Sequence, residues 1–417
     1  MESSSVIHHD HNQYKNKETN FSKLHKILFI LSIIFICAIG FVASDIYLPS
    51  LPAIAEYYHK EAFWAQSTMT AFLITMAIFQ IFSGSLSDKF GRKKILFIFM
   101  IIFMSASIGC YFSSTIYELI LFRILQGIGA CAGMSIGQAI VADLFNAKEM
   151  ARILSITIPL VAFSPAIAPV LGGHIEIHFN WQTNFLILAL YGFVIILMLL
   201  SPIMPKLKQN PNLQKTTAFD FKVFIKILFH KKFFGYALFM MVSNASYFSF
   251  VAACPFLLKK FGYSPPAVGY AFCAASFPYM FASFIGRKLS VTKSSIQIIF
   301  YGLCLNIIGG VSLIIMFLIQ WPHMLSLMIP VFMITIGNGL LMPFSSANAI
   351  TLYPKNAGLV TGTLGSMQLT AAGIGTAVMG IIENGTLFPL GIFVLSIAIF
   401  SIVYFIFVFK FSSFKSE

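Results

Sequence analysis

Twelve long apolar segments follow one another along this chain, and they constrain its fold more than any other feature of the sequence. Each segment is long enough to cross a hydrocarbon layer of ~30 Å. Because no water reaches the backbone inside such a layer, each segment is expected to satisfy its own N–H and C=O groups as a helix. Only 10% of the residues are charged, whereas soluble domains have roughly 25%. The sequence therefore predicts an all-α polytopic membrane protein with twelve transmembrane helices and a lipid bilayer as its partner.

One long polar and basic interval divides the apolar segments into six and six, which predicts two six-helix bundles. The predicted spans are residues 25–50, 62–85, 94–113, 116–142, 151–175, 181–204, 233–258, 265–288, 294–319, 323–345, 356–382 and 386–411. The predicted domains are a tail at 1–22, a first bundle at 23–204, a cytoplasmic linker at 205–232, a second bundle at 233–411 and a tail at 412–417. The first tail shows no signal-peptide pattern. We expect it to be disordered, although its His8, His9 and His11 could bind a metal ion.

The positive charge of the chain is concentrated on one side of the predicted spans. Lys and Arg total 27 against 14 Asp and Glu, a net charge of +13. In a soluble protein that excess would suggest nucleic acid as a partner. Here 23 of the 27 cations fall in segments on the same side as both termini. Since loops rich in Lys and Arg stay in the cytoplasm, we expect both termini to be cytoplasmic and no nucleic acid to be bound.

Residue patterns typical of enzymes and metal sites are not found in the sequence. The six cysteines lie inside apolar segments at spacings that match no metal site, so we expect free thiols and no disulfide. No nucleophile motif, phosphate-binding loop or metal-ligand set occurs, so neither catalysis, a cofactor nor a bound metal is expected. His174, Glu176 and His178, near the outer end of the fifth span, could bind a metal or sense pH. An ordinary loop is the simpler interpretation of that cluster.

Two ionisable residues are predicted to lie inside the membrane. Asp45 is near the outer end of the first span, and Arg123 is about two turns into the fourth. Because these spans run antiparallel, the two residues fall at comparable depth. Such groups are costly in a bilayer unless they have partners or face a wet cavity, so a function is the default hypothesis. For Asp45 the alternative is exposure at the membrane surface, and Glu118 and Glu383, at outer helix ends, are expected to be solvated.

A charged segment, 84–94, joins the second and third predicted spans with the order G-x-L-x-D-x-x-G-R. We expect Gly84 and Gly91 to permit a tight turn and a close approach of helices. Asp88 is predicted to cap the following helix, and Arg92 with its neighbouring lysines to hold the segment in the cytoplasm. Retention in the cytoplasm explains the cations but not the fixed order of the residues.

Proline and glycine are combined in the fifth predicted span. Pro165 and Pro169 lie four residues apart, and Gly172 and Gly173 follow directly. Prolines bend a helix, and glycines let another helix approach closely. The pattern predicts a pliable helix that packs between the two halves.

A substrate cavity is predicted from aromatic and amide side chains within the spans. The candidate residues are Tyr47, Gln126, Asn244, Tyr247, Phe344, Asn348 and Gln368. A largely apolar lining with a few amides suits amphiphilic or aromatic molecules. The alternative is that these residues face lipid, as many of the 46 phenylalanines must, or that Gln126 links helices within the protein.

Three of these segments resemble signatures of the major facilitator superfamily. The segment 84–94 is similar to its loop between spans two and three, and the run L-F-R-I-L-Q-G-I-G from Leu121 to its span-four signature R-x-x-Q-G-x-G. Residues 164–173 resemble its span-five antiporter signature, in the variant A-P-x-x-G-G that Bcr/CflA drug exporters carry. The segments that begin at Pro255 and Gly339 are also similar to Bcr/CflA patterns, so the resemblance covers residues 24–410.

The resemblance implies a transporter whose two bundles alternate access to a central site. It implies proton coupling at Arg123, with Asp45 as the candidate carboxylate, and gating by the charged segment that contains Gly84, Asp88, Gly91 and Arg92. The expected protein is a monomer of the bacterial inner membrane that exports drug-like molecules in exchange for protons.

Other functions fit parts of the same pattern. An exporter of a metabolite or siderophore could use the same scaffold. Proton-coupled nutrient uptake is a further alternative, which the span-five segment argues against. A membrane receptor that transports nothing would not need the intramembrane Asp45 and Arg123.

Overall fold

The computed structural model describes residues 22–205, 221–353 and 357–410, which form long helices and no β-strand. Twelve helices, called spans 1 to 12 below, are long and apolar enough to cross a membrane. The spans are Lys23–Tyr57, Ala62–Phe90, Arg92–Phe112, Ile116–Leu144, Lys148–His178, Gln182–Leu200, Lys231–Lys260, Pro265–Leu289, Ser295–Ile319, Met324–Thr351, Gly358–Ile382 and Leu387–Phe409. The predicted all-α architecture is confirmed, and the protein is a multi-pass membrane protein. Several spans extend beyond their predicted bounds because the helices continue into charged residues.

Parts of the predicted tails and linker lie outside the described residues. These are residues 1–21, with His8, His9 and His11, residues 206–220 and residues 411–417. The described part of the predicted linker contains a short helix, Phe221–Leu228. Its Ile227 is buried among apolar side chains of the second half, so this helix packs onto the bundle that it precedes.

Spans 1–6 and spans 7–12 form two bundles that meet along two helix pairs. Span 2 packs along span 11 and span 5 along span 8, and the final part of span 1 contacts spans 7 and 8. Within the bundles, span 3 packs on span 6, and span 9 on spans 10 and 12. The start of span 1 and the end of span 12 lie on one side, which we call the terminal face. The other side is called the opposite face.

The buried apolar core shows where the halves are joined. One cluster runs through the first half and continues, towards the opposite face, into the second half, where Phe250, Phe272 and Leu327 belong to it. Towards the terminal face the second half has a separate cluster around Phe233 and Phe239. In the described residues, apolar packing thus joins the halves mainly near the opposite face.

Span 1 is interrupted where it reaches the other half. An α-helix, Lys23–Asp45, is followed by a 3-10 turn, Leu48–Ser50, and a second helix, Leu51–Tyr57. Pro49 and Pro52 have no backbone N–H and cannot continue the hydrogen-bond ladder of the first helix. The interruption leaves Asp45 as the last residue of the first helix, next to the turn that contacts spans 7 and 8.

Candidate functional site

Arg123 lies inside the first half with its side chain fully buried. Its guanidinium donates hydrogen bonds to the carbonyl oxygens of Ala43 at 3.1 Å and Thr68 at 3.4 Å, and to the side-chain oxygen of Gln126. Its Nη2 atom is buried and has no acceptor among the described residues. A buried cation needs such partners, and one of its nitrogens remains available for another.

Asp45 is 6% exposed and lies near Arg123 without touching it. It is within electrostatic range of Arg123 on span 4 and of Tyr247 on span 7. The two predicted residues form no ion pair in the part of the chain that the structure describes. The hydrogen-bond partner of Asp45 is instead Ser44, whose Oγ lies 2.7 Å from Asp45 Oδ1.

The Ser44 hydroxyl has one hydrogen and two close neighbours. Its Oγ lies 2.9 Å from the carbonyl oxygen of Phe41, which can only accept, and 2.7 Å from Asp45 Oδ1. If the hydroxyl donates to Phe41, its bond to Asp45 requires a hydrogen on the carboxyl group. A buried carboxyl with one neutral partner is also more stable as the acid than as the anion. The arrangement therefore leaves Asp45 with a single, neutral hydrogen-bond partner in this conformation.

Two predicted cavity residues, Tyr47 and Gln126, are instead buried inside the first half, and neither side chain is exposed. Gln126 donates to the Ser107 hydroxyl at 2.7 Å and accepts from Arg123. The Tyr47 hydroxyl lies 3.2 Å from that of Thr68, and its ring centroid is 4.4 Å from the Arg123 guanidinium carbon. Both residues support Arg123, so the alternative interpretation of Gln126 as a link between helices describes this structure better.

The other predicted cavity residues lie in the second half and are half-buried: Asn244, Tyr247, Phe344, Asn348 and Gln368. Asn244 on span 7 donates to the side-chain oxygen of Gln368 on span 11 at 3.4 Å. Asn348 donates to the Phe344 carbonyl one turn earlier in span 10, at 2.7 Å, and the Phe344 ring packs on span 8. The structure thus brings the two amides of spans 7 and 11 together, whereas the span 10 pair forms a separate group.

The charged segment between spans 2 and 3 is helical on both sides of a single residue, Gly91. Gly91 has φ of +101°, a value that favours glycine, and it alone makes the predicted turn. Asp88 lies in the last turn of span 2 and forms an ion pair with Arg92. The prediction that Asp88 caps the next helix is therefore wrong, because that helix starts after Gly91 and receives no side-chain cap. Arg92 also pairs at 3.0 Å with Asp143, near the end of span 4, which the sequence patterns did not single out.

Gly84 lies inside the helix of span 2 and not in a turn, which corrects its predicted role. A Cβ atom built there would have no neighbour within 4 Å among the described residues, and the same holds for Gly358 and Gly362 on span 11. One turn further into the membrane, a Cβ on Gly365 would lie 2.9 Å from the side chain of Gln80. Spans 2 and 11 therefore touch as far as Gln80 and separate towards the terminal face.

Gly172 and Gly173 pack against different halves. A Cβ on Gly172 would overlap the carbonyl oxygen of Ile46 in span 1 of the same half. A Cβ on Gly173 would lie 2.8 Å from the carbonyl oxygen of Pro265 in span 8, in the other half. The prediction of close packing between the halves is therefore correct for Gly173 and wrong for Gly172.

The two prolines of span 5 have separate places in the same region. Pro165 is in the first turn of the second helix of this span, Ser164–His178, where a proline is tolerated. The carbonyl oxygen of Pro169 faces span 8, where a Cβ on Gly269 would approach it to 2.6 Å. Backbone therefore meets backbone on both sides of the contact between spans 5 and 8.

Polar side chains join the two halves towards the opposite face. Gln66 on span 2 donates to Glu383 Oε2 at 2.6 Å and to the carbonyl of Ala252 on span 7 at 3.0 Å. The other contacts of this kind are the Thr70–Thr376 hydroxyl pair at 2.7 Å, the bond from Ser366 to the Ala77 carbonyl at 2.7 Å and the ion pair of Glu56 with Lys259. The prediction that Glu383 is a solvated helix-end residue is wrong, because it is held between the halves. Glu118, in contrast, is exposed and bonds to the backbone of Ser114.

The cluster of His174, Glu176 and His178 belongs to the second helix of span 5 and not to a loop. The ring of His174 lies 2.9 Å from the hydroxyl of Tyr270 on span 8. Glu176 is half-buried and lines a cavity of about 190 Å³ together with Lys259 of the other half. Within the described ranges, no group of His, Cys, Asp and Glu is arranged to hold a metal ion.

Over most of its length the chain is similar in sequence to known membrane transporters. Residues 30–376 match the family model of the Major Facilitator Superfamily. The chain is 28% identical over 368 residues to the Uncharacterized MFS-type transporter YdgK of Bacillus subtilis, covering 88% of this chain and 90% of the relative. It is 24% identical over 375 residues to Multidrug resistance protein D of Escherichia coli and 23% identical over 367 residues to the bicyclomycin resistance protein homolog of Haemophilus influenzae, each covering 87% of this chain and 91% of the relative. These relatives confirm the resemblance to Bcr/CflA drug-resistance transporters.

A solved structure shows the same fold. A bacterial homologue of the human lysosomal transporter Spinster, in an inward-facing and occupied conformation, aligns with a TM-score of 0.72. The alignment covers 94% of this chain and 98% of that chain at 14% sequence identity. At this level of identity the likeness concerns the arrangement of helices alone.

Proposed function

The chain belongs to the Major Facilitator Superfamily, and we propose that it exports drug-like or amphiphilic molecules in exchange for protons by alternating access. The observation that carries the proposal is a buried carboxyl, Asp45, near a buried guanidinium, Arg123, where span 1 meets span 7. The names of two relatives, a multidrug resistance protein and a bicyclomycin resistance homologue, support a drug-like cargo. The proposed setting is the bacterial inner membrane, with a monomeric protein and both termini in the cytoplasm.

Proton exchange at Asp45 would change which partner this carboxyl uses. In this structure Asp45 is bonded to Ser44, while Arg123 Nη2 has no acceptor in the described residues. On losing its proton, Asp45 would gain by turning to that nitrogen, because a buried anion needs a cationic partner. That movement would displace the end of the first helix of span 1. Since the adjoining turn contacts spans 7 and 8, the protonation of Asp45 is linked to the relative position of the halves.

The arrangement of the halves supports an inward-facing state within this cycle. The halves are joined towards the opposite face, while spans 2 and 11 separate beyond Gln80 and Gly365 towards the terminal face. The excess of cations predicts that the terminal face is cytoplasmic. A molecule to be exported would therefore enter the protein from the cytoplasm in this conformation.

The proposed substrate surface lies in the second half. The amides of Asn244 and Gln368 are half-buried, and they lie 3.6 Å from the sulfur of Met342 and 3.9 Å from that of Met240, respectively. Methionine side chains adapt to ligands of different shape, and a few amides suffice to orient an amphiphilic molecule. Tyr247, on the same span as Asn244, is within electrostatic range of Asp45, so it connects the substrate surface with the proton site.

Substrate-induced proton release tests this proposal. Bicyclomycin and a lipophilic cationic dye are added in turn to the purified protein in weakly buffered detergent solution, and the released protons are measured across pH. We expect the wild type to release protons and Asp45→Asn to bind the compound without releasing them. Glu118→Gln, which removes an exposed carboxylate, is the matched control and should behave as the wild type does. Proton release from Asp45→Asn equal to that of the wild type would place the coupling carboxyl elsewhere.

A cellular assay separates the proposed cargo from the alternatives. The protein is expressed in an exporter-deficient host, and survival on a panel of amphiphilic drugs is compared with and without a protonophore. Protection that the protonophore abolishes supports proton-driven drug export. No protection, together with secretion of an endogenous metabolite or uptake of a nutrient, would support one of the alternative functions instead.

A further inference from the structure

Glu383 connects the two halves at a place that the proposed proton exchange at Asp45 does not use. It directly follows span 11, and its Oε2 accepts a hydrogen bond from Gln66 Nε2 on span 2 at 2.6 Å. Gln66 is only 1% exposed. The same nitrogen donates to the carbonyl oxygen of Ala252 on span 7 at 3.0 Å. One amide of the first half therefore holds two elements of the second half.

The hydrogen bonding around this contact is incomplete. Gln66 Oε1 and Glu383 Oε1 are both buried, and neither accepts a hydrogen bond from any residue that the structure describes. Exchanging the nitrogen and oxygen of the Gln66 amide would not supply the missing donor. The Ala252 carbonyl can only accept, so it requires the amide nitrogen beside it. Two buried acceptors in contact groups therefore lack a donor, which native proteins rarely tolerate.

A proton on Glu383 would satisfy both of these atoms. A carboxylic acid and a primary amide can form a cyclic pair, in which the amide N–H donates to one carboxyl oxygen and the carboxyl O–H donates to the amide oxygen. The N–H bond of such a pair is present between Gln66 and Glu383, and the two unpartnered oxygens are those that the O–H bond would join. We propose that Glu383 is a proton-binding site separate from Asp45, and that its acid form, paired with Gln66, holds the halves together on the opposite face.

Burial of Glu383 favours its neutral acid, while the groups beside it act in the opposite direction. The titratable neighbours come from span 7: the Lys260 ammonium acts on Glu383, and the Cys254 thiol is itself within range of the Glu383 charge, while span 2 contributes the neutral Gln66. Lys260 is engaged with the carbonyl oxygen of Gly385 at 2.8 Å. Burial, the largest influence, raises the pKa of the Glu383 carboxyl to about 7, and the Gln66 hydrogen bond and the Lys260 charge oppose this rise.

The site makes closure of the opposite face depend on pH. When the halves separate there, the carboxyl meets water, where a glutamic acid has a pKa of about 4.3. The closed form therefore binds the proton more tightly, and its stabilisation is fully present below the open-state pKa and is lost as pH rises through about 7. Between the two values the ratio of closed to open molecules falls about tenfold per pH unit. Because the proton arrives from and returns to the same face, it regulates closure and is not carried across the membrane.

A pair of dyes on the opposite face measures this closure without any substrate. The dyes are attached to cysteines introduced at Phe179 and Trp321, which are exposed residues of the two halves. The partly exposed Cys273 and Cys304 are replaced by serine. The full-length protein is placed in lipid nanodiscs, and energy transfer is recorded from pH about 3.5 to about 8, a range that brackets both pKa values.

We expect the wild type to open on the opposite face as pH rises towards 8. Glu383→Gln keeps an amide that can pair with Gln66 but cannot ionise, so this variant should stay closed across the range. Glu118→Gln, the matched control on the same face, should open as the wild type does. A wild-type dye distance that is independent of pH, or a Glu383→Gln variant that opens with the wild-type pH dependence, would overturn the proposal.

Discussion

A single methyl group at Gly173 should open the opposite face without unfolding the protein. In Gly173→Ala the new Cβ would lie 2.8 Å from the Pro265 carbonyl oxygen and 2.9 Å from Pro266 Cα. Both are backbone atoms of the other half and cannot rotate away. Ordinary contact begins at 3.4 Å, so spans 5 and 8 must move apart by 0.6 Å (3.4 minus 2.8). Overpacking of this kind costs about 1–3 kcal/mol, and since it acts only while the halves touch, it lowers the ratio of closed to open molecules about 5- to 150-fold.

The neighbouring glycine provides the matched control. A Cβ on Gly172 would overlap Ile46 of the same half, a contact that persists when a half moves as one body. Gly172→Ala should therefore act mainly on the melting temperature of the purified protein and shift the closed-to-open ratio less than Gly173→Ala does. The dye pair at Phe179 and Trp321 measures the ratio, and thermal unfolding measures the stability. The reasoning fails if Gly173→Ala keeps the wild-type dye distance, or if both variants shift that distance equally.

Three further predictions concern the charged residues and the glycines without neighbours. Arg123→Lys keeps the charge but loses the fork of donors, and each lost hydrogen bond of this kind costs about 1.5–3 kcal/mol. Both the melting temperature and substrate-induced proton release should therefore fall. A variant with wild-type values in both assays would contradict this. Asp88→Asn and Asp143→Asn each remove one of the two carboxylates that pair with Arg92. Because these ion pairs are partly exposed, the free energy of unfolding should change by less than about 1 kcal/mol. Transport of the dye into vesicles should nevertheless become slower. Gly362→Ala meets no neighbour and should stabilise span 11 by about 1 kcal/mol, a gain that thermal unfolding of the purified variant would show.

The sequence predicted the helices because the bilayer leaves few other options for long apolar segments. The predicted spans lie within or close to the observed helices, and the errors are at the helix ends, for example in span 2, which continues through Asp88 and Lys89 to Phe90. Asp45 and Arg123 stood out for the same reason, since an ionisable group inside an apolar segment is rare and costly. Their neighbourhood could be predicted from depth alone, because spans 1 and 4 run antiparallel.

Contacts between distant segments could not be predicted in the same way. Gln66 and Glu383 are 317 residues apart, and nothing in either local sequence indicates the other. Glu383 follows a helix end, where most carboxylates are solvated, and only the packing of span 11 on span 2 buries it. Tyr47 and Gln126 were assigned to a cavity because of their chemistry, although their orientation towards Arg123 depends on how spans 1, 2 and 4 are rotated. Such rotations follow from the packing of the whole bundle.

Three glycines on spans 2 and 11 have open space where a side chain would be, which indicates a second conformation of the protein. Glycine makes a helix less stable than alanine does, by about 1 kcal/mol per residue, and a close contact normally compensates for that. Gly84, Gly358 and Gly362 have no such contact with any described residue. They lie on spans 2 and 11 beyond the point where these helices separate, so we infer that the same two helices touch there when the terminal face closes. Spans 2 and 11 thus have two interfaces, one towards each face of the membrane. The inferred interface at the three glycines forms when the terminal face closes, and the interface described above forms when the opposite face closes.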